Sequence, residues 1–197
     1  MMDGGFGPVG MFILDILQTV VIAFAIFLLV WWLFLQPHKV DGRSMDPTFC
    51  NGDMLLTDKF TYRLRDPERY EIIVFKSPVS VGRDLIKRIV GLPGETVEIR
   101  GLSVYVNGQK LPENYLPEDR PTDGHKAIAE GKPIVIPKGD YIVMGDNREH
   151  SSDSREFGSI KRETIIGRSL LRYWPIPAFG PLGHEGVQTQ PRPIVCQ

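Results

Sequence analysis

An uninterrupted apolar run, Val20 to Leu35, sits inside the segment "MFILDILQTVVIAFAIFLLVWWLFLQP", Met11 to Pro37, and no other feature restricts the fold of this chain as much. At ~1.5 Å rise per residue, a helix over about twenty residues matches a hydrocarbon layer of roughly 30 Å. The run is apolar on every face, which a one-sided core helix does not need. It lacks the basic start, the shorter apolar core and the small-residue exit of a cleaved secretory signal, and it leaves through Trp31, Trp32 and Phe34. The reading is therefore a single-pass, uncleaved anchor over residues 11–36, with residues 1–10 as its N-terminal flank. A literal count of flanking cations, none in the first ten residues and Lys39 and Arg43 afterwards, would leave the rest of the chain in the cytoplasm. Long domains, however, cross largely regardless of charge.

After Pro37 the apolar residues come in short runs bounded by Gly and Pro: "DMLLTDKF", "YEIIVFK", "DLIKRIVGLPG", "ETVEIRG", "LSVYVNGQKL", "KPIVIPKGDYIVMGD" and "IIGRSLLRYWP". Runs rich in Val, Ile and Tyr between turn residues read as strands, and Asn107-Gly108 is a hairpin signal. Residues 37–174 are expected to form one mainly β domain. The stretch from Glu113 to Lys132 is polar and has no clear period. From Pro175 the chain carries five prolines and three glycines, so residues 175–197 are expected to be an extended or disordered tail.

Lys and Arg number 23 against 24 Asp and Glu, so no basic excess points to a nucleic-acid partner. The two cysteines, Cys50 and Cys196, cannot build a disulfide framework or a CxxC metal site. They leave the compartment open: an oxidising one would permit a bridge between them, and lone thiols fit equally. No metal or other cofactor is expected.

Several motifs are discarded. "GFGPVG", residues 5–10, fits GxGxxG but follows no strand, contains Pro8 and leads into the apolar run. GxSxG, S-x-x-K, HExxH and the Walker loop are missing. His38, His125, His150 and His184 lie scattered in polar segments without the spacing of a triad or a metal site. If Ser44 in "GRSMDPTF" is a nucleophile rather than a polar turn residue before Pro47, its base is not expected to be histidine.

A lysine held neutral by desolvation can serve instead, which requires lowering its pKa by ~2 to 3 units from ~10.4. In "DLIKRIVGLPGE", Lys87 sits among Leu85, Ile86, Ile89 and Val90 on an expected strand, with Arg88 on the opposite face. The competing role for Lys87 is an edge-strand charge that discourages aggregation. A third polar cluster, "MGDNREHSSDSREFGSI", residues 144–160, places Gly145, Asp146 and Asn147 at a strand end. Its bland alternative is a solvated turn with an exposed Asp153–Arg155 pair, which contributes little.

In this order, behind an N-terminal anchor, "GRSMDPTF", "GDMLLTDKF" (52–60), "KRIVGLPGE" (87–95) and "GDNREHSSDSREFGSI" (145–160) resemble the boxes of the type I signal peptidases, membrane-bound Ser/Lys proteases. The resemblance covers the anchor and residues 38–173. It implies a signal-peptidase-like β-sheet catalytic domain, with Ser44 as nucleophile, Lys87 as general base and Ser151 orienting the lysine amine. Asp153 and Arg155 would brace that box, Gly145, Asp146 and Asn147 would shape its turn, and Met45 and Pro47 would fix the serine loop. The Ser44 backbone N–H would serve the oxyanion. Some members supply a further hydroxyl two positions before the nucleophile, where this chain has Gly42.

The implied substrate is an exported preprotein cut after an A-x-A type signal peptide, bound as an added strand with pockets near Val40, Met45, Asp84 and Ile86. The implied location is the cytoplasmic (inner) membrane, with the lipid bilayer as partner and the catalytic domain on the extracytoplasmic side, against the literal charge count. Two rivals are a Ser/Lys maturation peptidase of a secretion or conjugation system and a non-catalytic membrane-tethered β scaffold.

Overall fold

The apolar run is a helix, α1, Pro8–Phe34. Of it, the 22 residues Pro8–Leu29 are long and apolar enough to cross a membrane, and none is buried within the protein. The helix stops two residues before the expected boundary at Gln36, because Pro37 lacks an N–H and pushes Gln36 toward extended backbone. The structure, a computed structural model, describes residues 7–117, 120–182 and 196. The first residues of the N-terminal flank, the side chains of Trp31 and Trp32, His184 and most of the expected tail lie outside the described residues. The chain divides into two units, Met1–Leu35 and Gln36–Gln197.

The second unit is mainly β, as the run pattern predicts. Its strands are β1 (Leu35–Lys39), β2 (Met54–Asp58), β3 (Ile72–Lys76), β4 (Asp84–Gly91), β5 (Thr96–Arg100), β6 (Ser103–Val106), β7 (Gln109–Lys110), β8 (Ile134–Val135), β9 (Asp140–Met144), β10 (Ile160–Lys161), β11 (Ile165–Trp174) and β12 (Gly180–Pro181). Two short helices, α2 (Thr61–Leu64) and α3 (Ser154–Phe157), interrupt them. Among the described residues the larger sheet runs β1-β2-β11-β3-β4-β9-β10, with β12 on β11, and the smaller runs β7-β6-β5-β8. Asn107 and Gly108 join β6 to β7 with positive φ at both positions, 50° and 78°, the conformation their hairpin signal requires.

Packing on both faces explains the unbroken apolar string "IIVFK". Ile72 enters a core with Val40, Met45, Phe49 and Leu55. Its neighbour Ile73 points the other way, into a core with Phe75, Ile89, Val143 and Ile165. A third core joins the far ends of β4 and β9, through Val90, Ile142 and Met144, to Val97, Ile99, Val104 and Val106 of the small sheet. β4 therefore runs through the middle of the unit with most of its length buried.

The expectation of an unpacked tail from Pro175 is corrected for its first residues. Ala178 is buried, Arg172 Nε donates to its carbonyl at 2.8 Å, and Gly180 and Pro181 pair with Arg172 and Leu171. Prolines are tolerated there because β12 needs few ladder donors at a sheet margin. Near the chain end, Cys196 forms a disulfide with Cys50, with a Cα–Cα separation of 5.2 Å.

Gly167 in β11 has no room for a side chain: a Cβ would overlap the Asp58 carbonyl oxygen of β2. Gly167→Ala should lower stability by about 1–3 kcal/mol, seen as a reduced unfolding midpoint in detergent solution.

Candidate active site

The segment "GRSMDPTF" forms an irregular turn after β1. Gly42 stands at φ +98°, a left-handed conformation that a residue with a Cβ rarely adopts, and its N–H donates to Asn51 Oδ1 at 2.9 Å. The Phe49 N–H closes the turn on the Met45 carbonyl at 2.8 Å, and both side chains are buried. From the opposite side Asn147 grips the backbone of Ser44. Its N–H donates to the Ser44 carbonyl at 2.9 Å and its Nδ2 to the Arg43 carbonyl at 3.0 Å. The Ser44 N–H has no acceptor among the described residues.

Lys87 lies on β4 as its sequence context predicts, and its Nζ is 2.7 Å from Ser44 Oγ and donates to the Ile86 carbonyl at 3.1 Å. The lysine is only 3% exposed. Burial lowers its pKa to about 8, against the upward pull of Asp153 and Asp146. About a tenth of the amine is then neutral at pH 7 and half at pH 8. A lysine on an open edge would be essentially all charged, so the aggregation-guard role does not describe it.

Arg88 points away from Lys87, as strand alternation requires, yet it is fully buried. Its Nε donates to Asp146 Oδ1 at 2.9 Å and its Nη1 to the Tyr70 carbonyl at 3.0 Å. The Tyr115 ring covers the guanidinium at 4.0 Å. The Thr48 hydroxyl donates to the other oxygen of Asp146. One carboxylate thus joins β4 to the serine turn.

The Asp153–Arg155 pair is buried rather than solvated. Arg155 donates through Nε and Nη2 to the two carboxylate oxygens, each at 2.9 Å, and the Gly145 N–H donates to Asp153 Oδ2 at 3.0 Å. Burial pushes the Asp153 carboxyl up, but the Arg155 hydrogen bonds and charge outweigh it and hold the pKa below the ordinary value. Asp153 also caps α3 by accepting the Arg155 N–H.

The expected contact between Ser151 and the lysine amine is not made. Ser151 Oγ is buried without a hydrogen bond of good geometry but close enough to the Asp153 carboxylate to help lower its pKa, while the Lys87 amine engages Ser44 and Ile86. Ser151 does lie at the centre: a Cβ on Gly145 would overlap both its Oγ and the Ser44 carbonyl oxygen. Gly145 is the residue that lets these groups approach.

Val40, Met45, Asp84 and Ile86, the expected pocket residues, line one cavity together with Ser44, Lys87, His38 and Val74. Its volume is about 80 Å³. β3 pairs with β4 from Asp84 onward, whereas β9 pairs with it only from Arg88 onward. Among the described residues the second edge of Asp84–Lys87 therefore has no strand beside it, and an extended peptide can add there.

Sequence reasoning missed the arginines that hold the turn. Arg172 Nη1 donates to the Thr48 carbonyl and to Asp53 Oδ2, both at 3.1 Å, and Arg148 pairs with Glu113. For Arg172 the available signal was its place inside the apolar run "IIGRSLLRYW", where a charge must find a buried partner; Arg148, in a polar box, carried no such signal.

Comparisons with known proteins point to one family. The family described as signal peptidase, peptidase S26, matches residues 13–174. "Probable signal peptidase I-2" of Synechocystis sp. is 36% identical over 188 residues, 91% of this chain and 83% of its own length. "Signal peptidase IB" of Staphylococcus aureus (strain COL) is 35% identical over 178 residues, 85% of this chain and 92% of its own. The crystal structure of a signal peptidase I from Enterococcus faecalis V583 aligns with a TM-score of 0.45 and 36% identity, covering 53% of this chain and 97% of that one.

The depressed lysine pKa carries a stability cost of known sign. Between about 8 in the fold and its ordinary 10.5, the unfolded chain holds a proton that the folded chain has released, so stability rises with pH through that window. At neutral pH the buried charge therefore destabilises the fold, by something of order 3 kcal/mol. Lys87→Met should unfold at a higher temperature than wild type at pH 7, with the gain shrinking toward pH 10, as followed by thermal melts in detergent.

Proposed function

Because the chain belongs to the signal peptidase family, peptidase S26, we propose that it removes N-terminal signal peptides from exported preproteins, cutting after small residues. The observation that carries the mechanism is the 2.7 Å contact between Lys87 Nζ and Ser44 Oγ inside a buried site. Ser44 Oγ attacks the scissile carbonyl while the neutral Lys87 amine takes its proton. The lysine then returns a proton to the departing amine and activates water for deacylation. Charge developing on the carbonyl oxygen is met by the Ser44 N–H, for which the described residues offer no competing acceptor. With Gly42 at position 42, no side-chain hydroxyl arises there, and more of that stabilisation falls to backbone groups.

Ser151 Oγ, buried beside Gly145, accepts from Lys87 once the amine has taken the Ser44 proton. Asp153, Arg155, Asp146 and Asn147 act one step back, by fixing the turn and the box that carry Ser44 and Ser151. The preprotein adds as a strand along Asp84–Lys87, and the cavity between Val40, Met45 and Ile86 accounts for the preference for small side chains.

The apolar helix anchors the enzyme in the cytoplasmic membrane, with the catalytic unit on the extracytoplasmic side. Tethering enzyme and substrate to one lipid layer raises their effective concentration.

In detergent, the purified chain should cut a preprotein after a small residue, with the new N-terminus read by sequencing. Ser44→Ala and Lys87→Ala should each reduce the rate by at least about 100-fold, and full activity in both variants would remove the dyad. Activity should rise with pH through about 8, where burial has placed the lysine. A rise centred near 6.5 would assign the base to a histidine.

A further inference from the structure

One carboxylate beside the dyad has no task in the chemistry above. Asp84 opens β4 and, with His38, Val40, Val74 and Ile86, lines the cavity next to Ser44. Its side chain is 39% exposed and faces His38 Nε2 at 3.7 Å, too far for a hydrogen bond of good geometry. His38 is itself held. Its side chain is only 11% exposed, and its Nδ1 meets the hydroxyl of Thr57, a fully buried residue of β2, at 2.9 Å. That contact fixes the ring with Nε2 buried toward Asp84.

Burial lowers the His38 pKa against the upward pull of Asp84. The ring is therefore mostly neutral near pH 7, a polar neighbour that orients the carboxylate and not a full counter-ion. The outer lone pairs of Asp84 are left to solvent in the free enzyme. A peptide that adds along the open edge Asp84–Lys87 displaces that solvent, and a carboxylate covered without a donor is costly. The arriving chain must bring the donor.

Strand geometry says which residue brings it. Asp84 and Ile86 lie two apart on β4 and share a face, and the side chains of an added strand repeat at the same spacing. In a preprotein cut after an A-x-A type sequence, the last residue before the cut sits beside Ser44 and Ile86. The third residue before the cut then falls beside Asp84 and His38. We propose that Asp84, aimed by His38, selects preproteins that carry a hydroxyl side chain, Ser or Thr, at this third position. The hydroxyl donates to the carboxylate while its carbon stem rests on Val40 and Ile86. A cationic side chain could also donate, but Lys39, Arg83 and Lys87 line the same cavity and oppose it. The inference rests on the signal-peptidase reading and gives that reading a narrower substrate class.

The test measures kcat/KM of the full chain in detergent on one preprotein carrying Ala, Val, Thr or Lys at the third position before the cut. Thr and Val have nearly the same shape, so their ratio reads the hydroxyl. The wild type should favour Thr over Val by about fivefold or more. Asp84→Ala and His38→Phe should each lower that ratio by about threefold or more. A purely structural loss slows both substrates together and leaves the ratio where it was, so an unmoved ratio in Asp84→Ala overturns the acceptor and one in His38→Phe overturns the positioning role. A Lys substrate cut faster than the Thr one makes the carboxylate a cation site and overturns the hydroxyl assignment. A wild type that cuts the Ala substrate but treats Thr and Val alike, or prefers Val, overturns this proposal alone. A wild type that leaves even the Ala substrate uncut overturns the signal-peptidase reading and this proposal together.

Discussion

The arrangement of the site hangs on one buried guanidinium. Arg88 follows Lys87 on the same strand, and its bonds to Asp146, together with the Thr48 hydroxyl on that carboxylate, tie three distant segments to a single point. Strand alternation sends Lys87 to one face and Arg88 to the other, so fixing the guanidinium also fixes the amine. Removing one partner of such a pair leaves the other charge buried, at a typical cost of 3–5 kcal/mol. The Tyr115 ring over Arg88 and the Tyr70 carbonyl occupy the donors and face that Asp146 does not. Desolvation of the ion is thereby matched by contacts on every side.

The same architecture allows a lysine to be a base. Lys87 is shielded from water, and the nearby carboxylates that would favour its charged form are already committed. Asp153 is bound by Arg155 and the Gly145 N–H, and Asp146 by Arg88 and Thr48. Both carboxylates attract the ammonium, Arg83 and Arg155 repel it, and burial outweighs the attraction, so the pKa falls. The braces around the serine turn therefore serve electrostatics as well as geometry.

Much of this was legible in the sequence because its signals are local. The unbroken run to Leu35 requires a helix apolar all round, Pro37 ends it, Asn107-Gly108 makes a hairpin, and alternation in "DLIKRIV" separates Lys87 from Arg88. The polar boxes named residues that the structure brings near one another: Ser44 and Lys87 line one cavity, Asn147 holds the Ser44 carbonyl, and Gly145 ties Asp153 and Arg155 to that box. What depended on long-range pairing was not legible. Nothing near Arg172 names Thr48 and Asp53 as its partners, and nothing in the polar stretch after Glu113 shows that Tyr115 will cover Arg88. The packed start of the tail was misjudged for a related reason. Prolines signal loops in isolation, but β11 is long enough to accept Gly180 and Pro181 along its margin.

The disulfide between Cys50 and Cys196 bears on a question that the charge pattern answered poorly. Counting cations beside the helix favours a cytoplasmic catalytic unit, yet that rule loses force for a long domain. Disulfides persist on the oxidising side of a membrane and are rare in the cytosol. Cys50 lies six residues after Ser44 and its N–H is held by Asp53, the carboxylate that also receives Arg172. The bridge thus joins the chain end to the frame of the serine turn. A bond at that place, formed by the only two cysteines of the sequence, is of the kind that persists where the surroundings are oxidising, whatever the count of Lys39 and Arg43 beside the helix suggests.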